Sequence, residues 1–135
     1  MTARVIIADP NPDVLRSLKA LLRVSLNYDV VGEFTTVGAL PRAYADLHPD
    51  LVLLDWQILE RSQVNLIDYL AQLARPPKII VMGNDGDHGR LALAAGANAY
   101  ISKGDPVEWL LEALRRVSAE DSSNAEENPD RKDVV

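Results

Sequence analysis

Short apolar runs separated by amphipathic segments recur about five times along the chain, and this rhythm restricts the fold more than any other feature. Val5-Ile6-Ile7-Ala8, Leu51-Val52-Leu53-Leu54 and Ile79-Ile80-Val81-Met82 show no polar alternation. A strand of that kind must be covered on both faces, which is the situation of a central strand in a parallel sheet. The amphipathic segments between the runs supply the cover, so the pattern is that of repeated βαβ units. We therefore expect an α/β fold: a doubly wound, five-stranded parallel sheet with helices on both faces.

The individual elements follow from the same periodicities. Pro10-Asn11-Pro12-Asp13 suits a turn and the first helical positions, and Val14, Leu15, Leu18, Leu21 and Leu22 form the inward stripe of a first helix. Residues 28–34 read as a second strand and Val37 to Leu47 as a helix with Pro41 in its first turn or at a kink. Val64, Leu66, Ile67, Leu70 and Leu73 mark a third helix, broken by Arg75-Pro76-Pro77 before the fourth strand. A Gly-rich loop is expected from Gly83 to Gly89, then a short helix through Leu91, Leu93, Ala94 and Ala95, closed by Gly96. Ala99-Tyr100-Ile101 is the last strand. Asp105-Pro106 opens a final helix to Val117 with Val107, Leu110, Leu111 and Leu114 inward.

Residues 1–118 thus make one domain, and residues 119–135 differ sharply, with Glu120, Asp121, Glu126, Glu127, Asp130 and Asp133 and almost nothing apolar. We expect an acidic disordered tail or a linker cut short. The absence of cysteine excludes disulfides and thiolate metal sites. A net charge of −6 opposes nonspecific nucleic-acid binding, which depends on neutralising phosphates with Lys and Arg. No apolar run approaches the ~20 residues that span a bilayer. The expectation is a cytoplasmic protein with no membrane contact.

Three charged residues stand at predicted strand ends: Asp9, Asp55 and Lys103. Carboxyl ends of neighbouring parallel strands meet at one crevice, so the three share a site. Two acids and an ammonium there suit metal-assisted phosphoryl chemistry.

Order and spacing of three segments resemble the receiver domain of two-component response regulators: Val5 to Asp9, Pro49 to Asp55, and Ala95 to Lys103. The likeness covers roughly residues 3–118, and the stretch from Asn98 to Asp105 is closest to receivers that carry a helix-turn-helix output. The resemblance implies that Asp55 accepts a phosphoryl group from a sensor histidine kinase or a small phosphodonor, and that Lys103 pairs with the phosphoryl oxygens. It implies Mg²⁺ held by Asp9, Asp55 and the backbone carbonyl of Gln57. It also implies signal relay rather than enzyme activity, with a protein partner or second copy docking on the last two helices and strand five. DNA binding would not belong to these residues.

Several residues depart from that family's pattern. Pro10 stands where a second acid is usual, which weakens the Mg²⁺ site. Gly83 replaces a Ser or Thr whose hydroxyl would contribute roughly 1.5–3 kcal/mol to holding the phosphoryl group. Asn84 beside it either substitutes or obstructs. Tyr100 matches an aromatic switch position, and equally reads as an amphipathic ring capping the sheet with its phenol in water. Leu59 and Gln63 replace a Pro and a Gly, so the loop after Asp55 should have its own shape. An alternative follows: a phosphorylation-independent pseudo-receiver acting as an interaction module, with the charges retained as a salt-bridged remnant. A small flavodoxin-like enzyme or nucleotide-binding protein is a remote third reading, since no phosphate loop or cofactor fingerprint is present.

The remaining features are read plainly. Asn84 to Gly89 lacks the spacing of a calcium loop, and His48 and His88 are neither ligands nor bases. Trp56 is expected to cover the site and Trp109 to belong to an interface.

Overall fold

A computed structural model describes residues 2–25, 27–61 and 65–118. Five parallel strands, β1 (Ala3–Ala8), β2 (Tyr28–Phe34), β3 (Leu51–Asp55), β4 (Lys78–Gly83) and β5 (Ala99–Ser102), lie in the order β2-β1-β3-β4-β5. Helices α1 (Pro12–Val24), α2 (Leu40–Leu47), α3 (Trp56–Arg61), α4 (Leu66–Ala71) and α5 (Gly86–Ala95) connect them, and α6 spans 107–118. The doubly wound architecture expected from the apolar runs is the one observed. Among the described residues no helix is long and apolar enough to cross a membrane.

The strand period divides the core into two layers. Val5, Ile7, Leu51, Leu53, Ile80 and Met82 face α1 and α6, where Leu15, Leu18, Leu22, Leu110, Leu114 and Val117 meet them. Ile6, Ala8, Val52, Leu54, Ile79 and Val81 point the other way, against Leu40, Ile58, Leu66, Ile67, Leu70 and Ala92 of α2 to α5. Successive side chains of a strand alternate faces, so an unbroken apolar run buries half its residues in each layer. The register pairs Val5 with Leu51 and Leu51 with Lys78, bringing the carboxyl ends of β1, β3 and β4 level.

Local chemistry fixes the element ends. The Asn11 side chain accepts from Asp13 N at 2.9 Å, with Pro12 opening α1, and Asp85 accepts from Asp87 N at 2.9 Å to cap α5. Gly96 ends α5 at φ 121°, a conformation open to glycine and costly to other residues.

The structure corrects the sequence reading at five places. The chain enters α3 directly after Asp55, because Trp56 to Arg61 contains neither of the breakers, Pro or Gly, that would hold a loop open. The third expected helix is confined to Leu66–Ala71, with Leu73 beyond its end and Val64 outside the described residues. The expected Gly83–Gly89 loop is mostly regular structure: β4 runs to Gly83, and the Asp85 cap starts α5 at Gly86. Helix α2 begins at Leu40 rather than Val37, with Pro41 in its first turn. Val107 is 48% exposed, and Leu110, Ala113, Leu114 and Val117 make the inward stripe of α6 with Leu111 half-buried. Residues 119–135 lie outside the described residues.

Candidate functional site

The site is built at the carboxyl edge of the sheet. Asp9 follows β1, Asp55 ends β3, and Lys103 follows β5. Both acids are buried, 2% and 4% exposed. The Lys103 ammonium donates to Asp9 Oδ2 at 2.7 Å and pairs with Asp55 Oδ1, bridging the two carboxylates. The turn carrying Lys103 is held by its own N–H to the Gly83 carbonyl at 2.7 Å. It is held again by Asp105, whose carboxylate accepts from Ser102 N at 3.0 Å.

The remaining carboxylate oxygens are also engaged. Asp9 Oδ1 accepts from Asn11 N and Asp55 Oδ2 from Gln57 N, each at 2.9 Å and each two residues along the chain. Each acid therefore has one oxygen on the ammonium and one on the backbone, which satisfies two buried charges without water. Burial alone would lower the Lys103 pKa. The hydrogen bonds and charges of Asp55 and Asp9 outweigh it, so the ammonium is held above its ordinary 10.5.

Asp9, Asp55 and Lys103 are thus brought together as their strand-end positions predicted. Gln57 joins them through its N–H, in the first turn of α3. Pro10 lies in the turn beside Asp9, and among the described residues no group of three or more His, Cys, Asp or Glu could hold a metal ion. Two buried carboxylates do fit a hard dication in donor type. The Lys103 ammonium stands between them.

Gly83 ends β4, and Asn84 is exposed in the bend that follows. The Tyr100 ring lies against Gly89 with its phenol end at Gly83, and the phenol donates to the Asp85 carbonyl at 2.8 Å rather than to water alone. Burial raises the Tyr100 pKa. Leu59 is half-buried in α3, and Gln63 lies outside the described residues. Trp56 stacks on His88 with ring centroids 4.5 Å apart and planes 12° from parallel. The sequence reading took His88 as neither ligand nor base and Gly89 as loop, and missed the contacts of His88 with Trp56 and of Gly89 with Tyr100. Their signal is a helical phase that places the first turns of α5 beside Trp56 and Tyr100, and it becomes readable only once α5 is known to begin at Gly86.

Acids at the ends of β1 and β3, with a lysine past β5, define a receiver-type α/β domain. The profile of the response regulator receiver domain matches residues 5–115, and the chain belongs to that family, the receiver domains of two-component systems. It is 31% identical over 123 residues to the transcriptional regulatory protein KdpE of Mycobacterium tuberculosis H37Rv, covering 90% of this chain and 54% of that protein. It is 28% identical over 119 residues to the nitrate/nitrite response regulator NarL of Escherichia coli K12, covering 87% and 55%. The chain spans about half the length of the curated relatives it matches.

Among solved structures, a LuxR-family two-component response regulator from Aurantimonas sp. superposes with a TM-score of 0.79 at 24% identity, over 89% of this chain and 87% of that one. RcsB from Salmonella enterica serovar Typhimurium, bound to promoter rprA in the presence of phosphomimetic BeF3⁻, gives 0.76 at 24%, over 87% and 99%. These likenesses establish the fold.

Proposed function

We propose that the chain relays a signal by protein contact, taking a phosphoryl group on Asp55 from a sensor histidine kinase or a small phosphodonor in the cytoplasm. The observation that carries this reading is Asp55 itself, buried at the end of β3 with Lys103 paired to it. In the transfer an Asp55 carboxylate oxygen bonds to phosphorus as the donor's P–N or P–O bond breaks, and imidazole or a carboxylate leaves. Lys103 then turns from the carboxylates to the new phosphoryl oxygens, which need charge neutralisation more than covalent help. Turnover of a substrate is not part of this role.

Mg²⁺, when bound by Asp9, Asp55 and the Gln57 carbonyl, would supply further neutralisation of the phosphoryl oxygens. Backbone N–H groups point out of a helix at its N-terminus, so using the Gln57 carbonyl requires the first turn of α3 to open. With Pro10 in place of an acid and Gly83 in place of a hydroxyl, the site is a weakened one. A partner or second copy docks on α5, β5 and α6, where Leu91, Leu93, Val107 and Trp109 are 48–57% exposed. Nucleic-acid binding is not assigned to this domain.

One observation favours a second reading, a pseudo-receiver that works as a phosphate-independent interaction module. All four carboxylate oxygens of Asp9 and Asp55 are already satisfied within the protein. Intact-protein mass after incubation with acetyl phosphate and Mg²⁺, beside Asp55→Ala, decides between them. A phosphate-sized increase absent from Asp55→Ala is expected. No adduct, with no response to beryllofluoride, would leave the interaction module.

A further inference from the structure

Lys103 borders a second concavity besides the site of Asp55. Helices α1 and α6 both cover the layer that holds Met82 and Ile101, yet they leave a groove of about 530 Å³ between them. Val14, Leu18 and Leu21, on successive turns of one face of α1, form one wall; Val107 at the start of α6 forms the other, over Met82 and Ile101. Val107 belongs by spacing to an inward stripe but is 48% exposed, and Val14, Leu21 and Ile101 are only partly buried although they pack on the core. A concavity of roughly 300–1,000 Å³ with apolar walls and a few polar groups is the ordinary form of a small-molecule site.

The polar groups of the groove give it a definite sign. Asp13, Asp105 and Lys103 line it together with Ser17. Asp13 gives one carboxylate oxygen to Arg16 at 2.7 Å and Asp105 gives one to Ser102 N at 3.0 Å, so each keeps a second oxygen for a further donor. The Lys103 ammonium is already committed to Asp9 and Asp55, whose charges together exceed its own. Asp9, Asp13, Asp55 and Asp105 thus stand against Lys103 and Arg16, a formal excess of two negative charges. An anionic ligand is repelled by that excess and a cationic one attracted, with the force reduced by salt where the groove meets water.

We infer that the groove between α1 and α6 binds a small apolar amine, with its hydrocarbon body on Val14, Leu21, Ile101 and Val107 and its ammonium at the end lined by Asp13 and Asp105. This site shares Lys103 with that of Asp55 but uses neither buried carboxylate, so it stands whether or not Asp55 takes a phosphoryl group.

The test is methyl NMR of the full chain titrated with 2-(1-naphthyl)ethylamine, beside 1-naphthylacetate, which carries the same ring on an anion. Saturable shifts centred on the methyls of Val14, Leu21, Met82, Ile101 and Val107 are expected for the amine, with the carboxylate weaker by about ten-fold or more. Asp13→Asn should weaken the amine by roughly two- to five-fold, the effect of one partly screened surface charge. Ser17→Phe, at an exposed position of α1, fills the groove and should abolish the shifts, whereas Ser17→Ala should keep them. Val107→Lys, which sets a cation in the groove from another exposed position, is the second variant should Ser17→Phe fail to fold. Equal affinity for the carboxylate, shifts centred on Leu91 and Leu93 instead, or shifts that persist in folded Ser17→Phe would each overturn the site. No saturable shift at millimolar amine would overturn it as well and leave the groove to a protein partner.

Discussion

At the scale of single residues, Lys103 holds two buried carboxylates, that of Asp55 and that of Asp9, the latter 94 positions away in sequence. Replacing it by Met leaves those charges facing one another, and Lys103→Met should lose about 2–4 kcal/mol in urea unfolding. That lies at or below the fully buried range because 23% of the lysine side chain is exposed. Millimolar Mg²⁺ should then raise the midpoint of Lys103→Met more than that of the wild type, since the dication no longer competes with an ammonium. Equal shifts would show that the ammonium and the metal do not share a place. The pH dependence has a definite sign. The folded pKa of Lys103 lies above its ordinary 10.5, so its contribution is complete below that value and is lost as pH rises through the folded pKa. Alkaline unfolding of the wild type should therefore show a loss in that window that Lys103→Met lacks. The three charges were legible in the sequence because each directly follows an apolar strand or its last polar residue. Their backbone partners were not, since the hydrogen bonds from Asn11 and Gln57 depend on turn geometry that many residue types can adopt.

At the scale of elements, breakers and caps explain both what was legible and what was not. Strand β2 was read at its observed bounds because Tyr28–Phe34 is framed by turn residues. Helices α3 and α5 were missed or shortened for opposite reasons. The first lacks Pro and Gly where a loop was assumed, and the second contains two glycines, Gly86 and Gly89, that read as loop although Asp85 caps a helix ahead of them. The two glycines nearest the ends of α5 should respond differently to alanine. Gly96→Ala places a side chain at φ 121° and should cost more than about 1 kcal/mol. Gly86→Ala meets nothing within 4 Å and should be neutral or stabilising by up to about 1 kcal/mol. Thermal unfolding of the pair reads both; an equal loss would mean that α5 tolerates no side chain at its start either.

At the scale of the molecule, one sheet separates two apolar layers that share only backbone. Ile6 and Ile7 are neighbours in sequence, both fully buried, yet belong to different layers. Ile6→Val and Ile7→Val should each cost about 0.5–1.5 kcal/mol. Their double mutant should be additive within about 0.5 kcal/mol, as for sites with no shared partners. Coupling beyond that in chemical denaturation would show strain passing through the strand itself. The layered architecture was the most legible property of the chain because it needs only the apolar periodicity. The packing of Tyr100 against Gly83 and Gly89 was invisible, since it joins three elements whose mutual approach no local pattern encodes.

That packing also restricts the routes by which this sequence can change. Serine at position 83 costs less after Tyr100 has become small, since only Trp56 Cβ at 3.2 Å then crowds it, whereas with the ring in place the new Cβ also meets the phenol oxygen at 2.7 Å. The two substitutions are therefore non-additive, and their order matters. A lineage gaining a hydroxyl at the end of β4 would find the path through position 100 easier and the direct path obstructed.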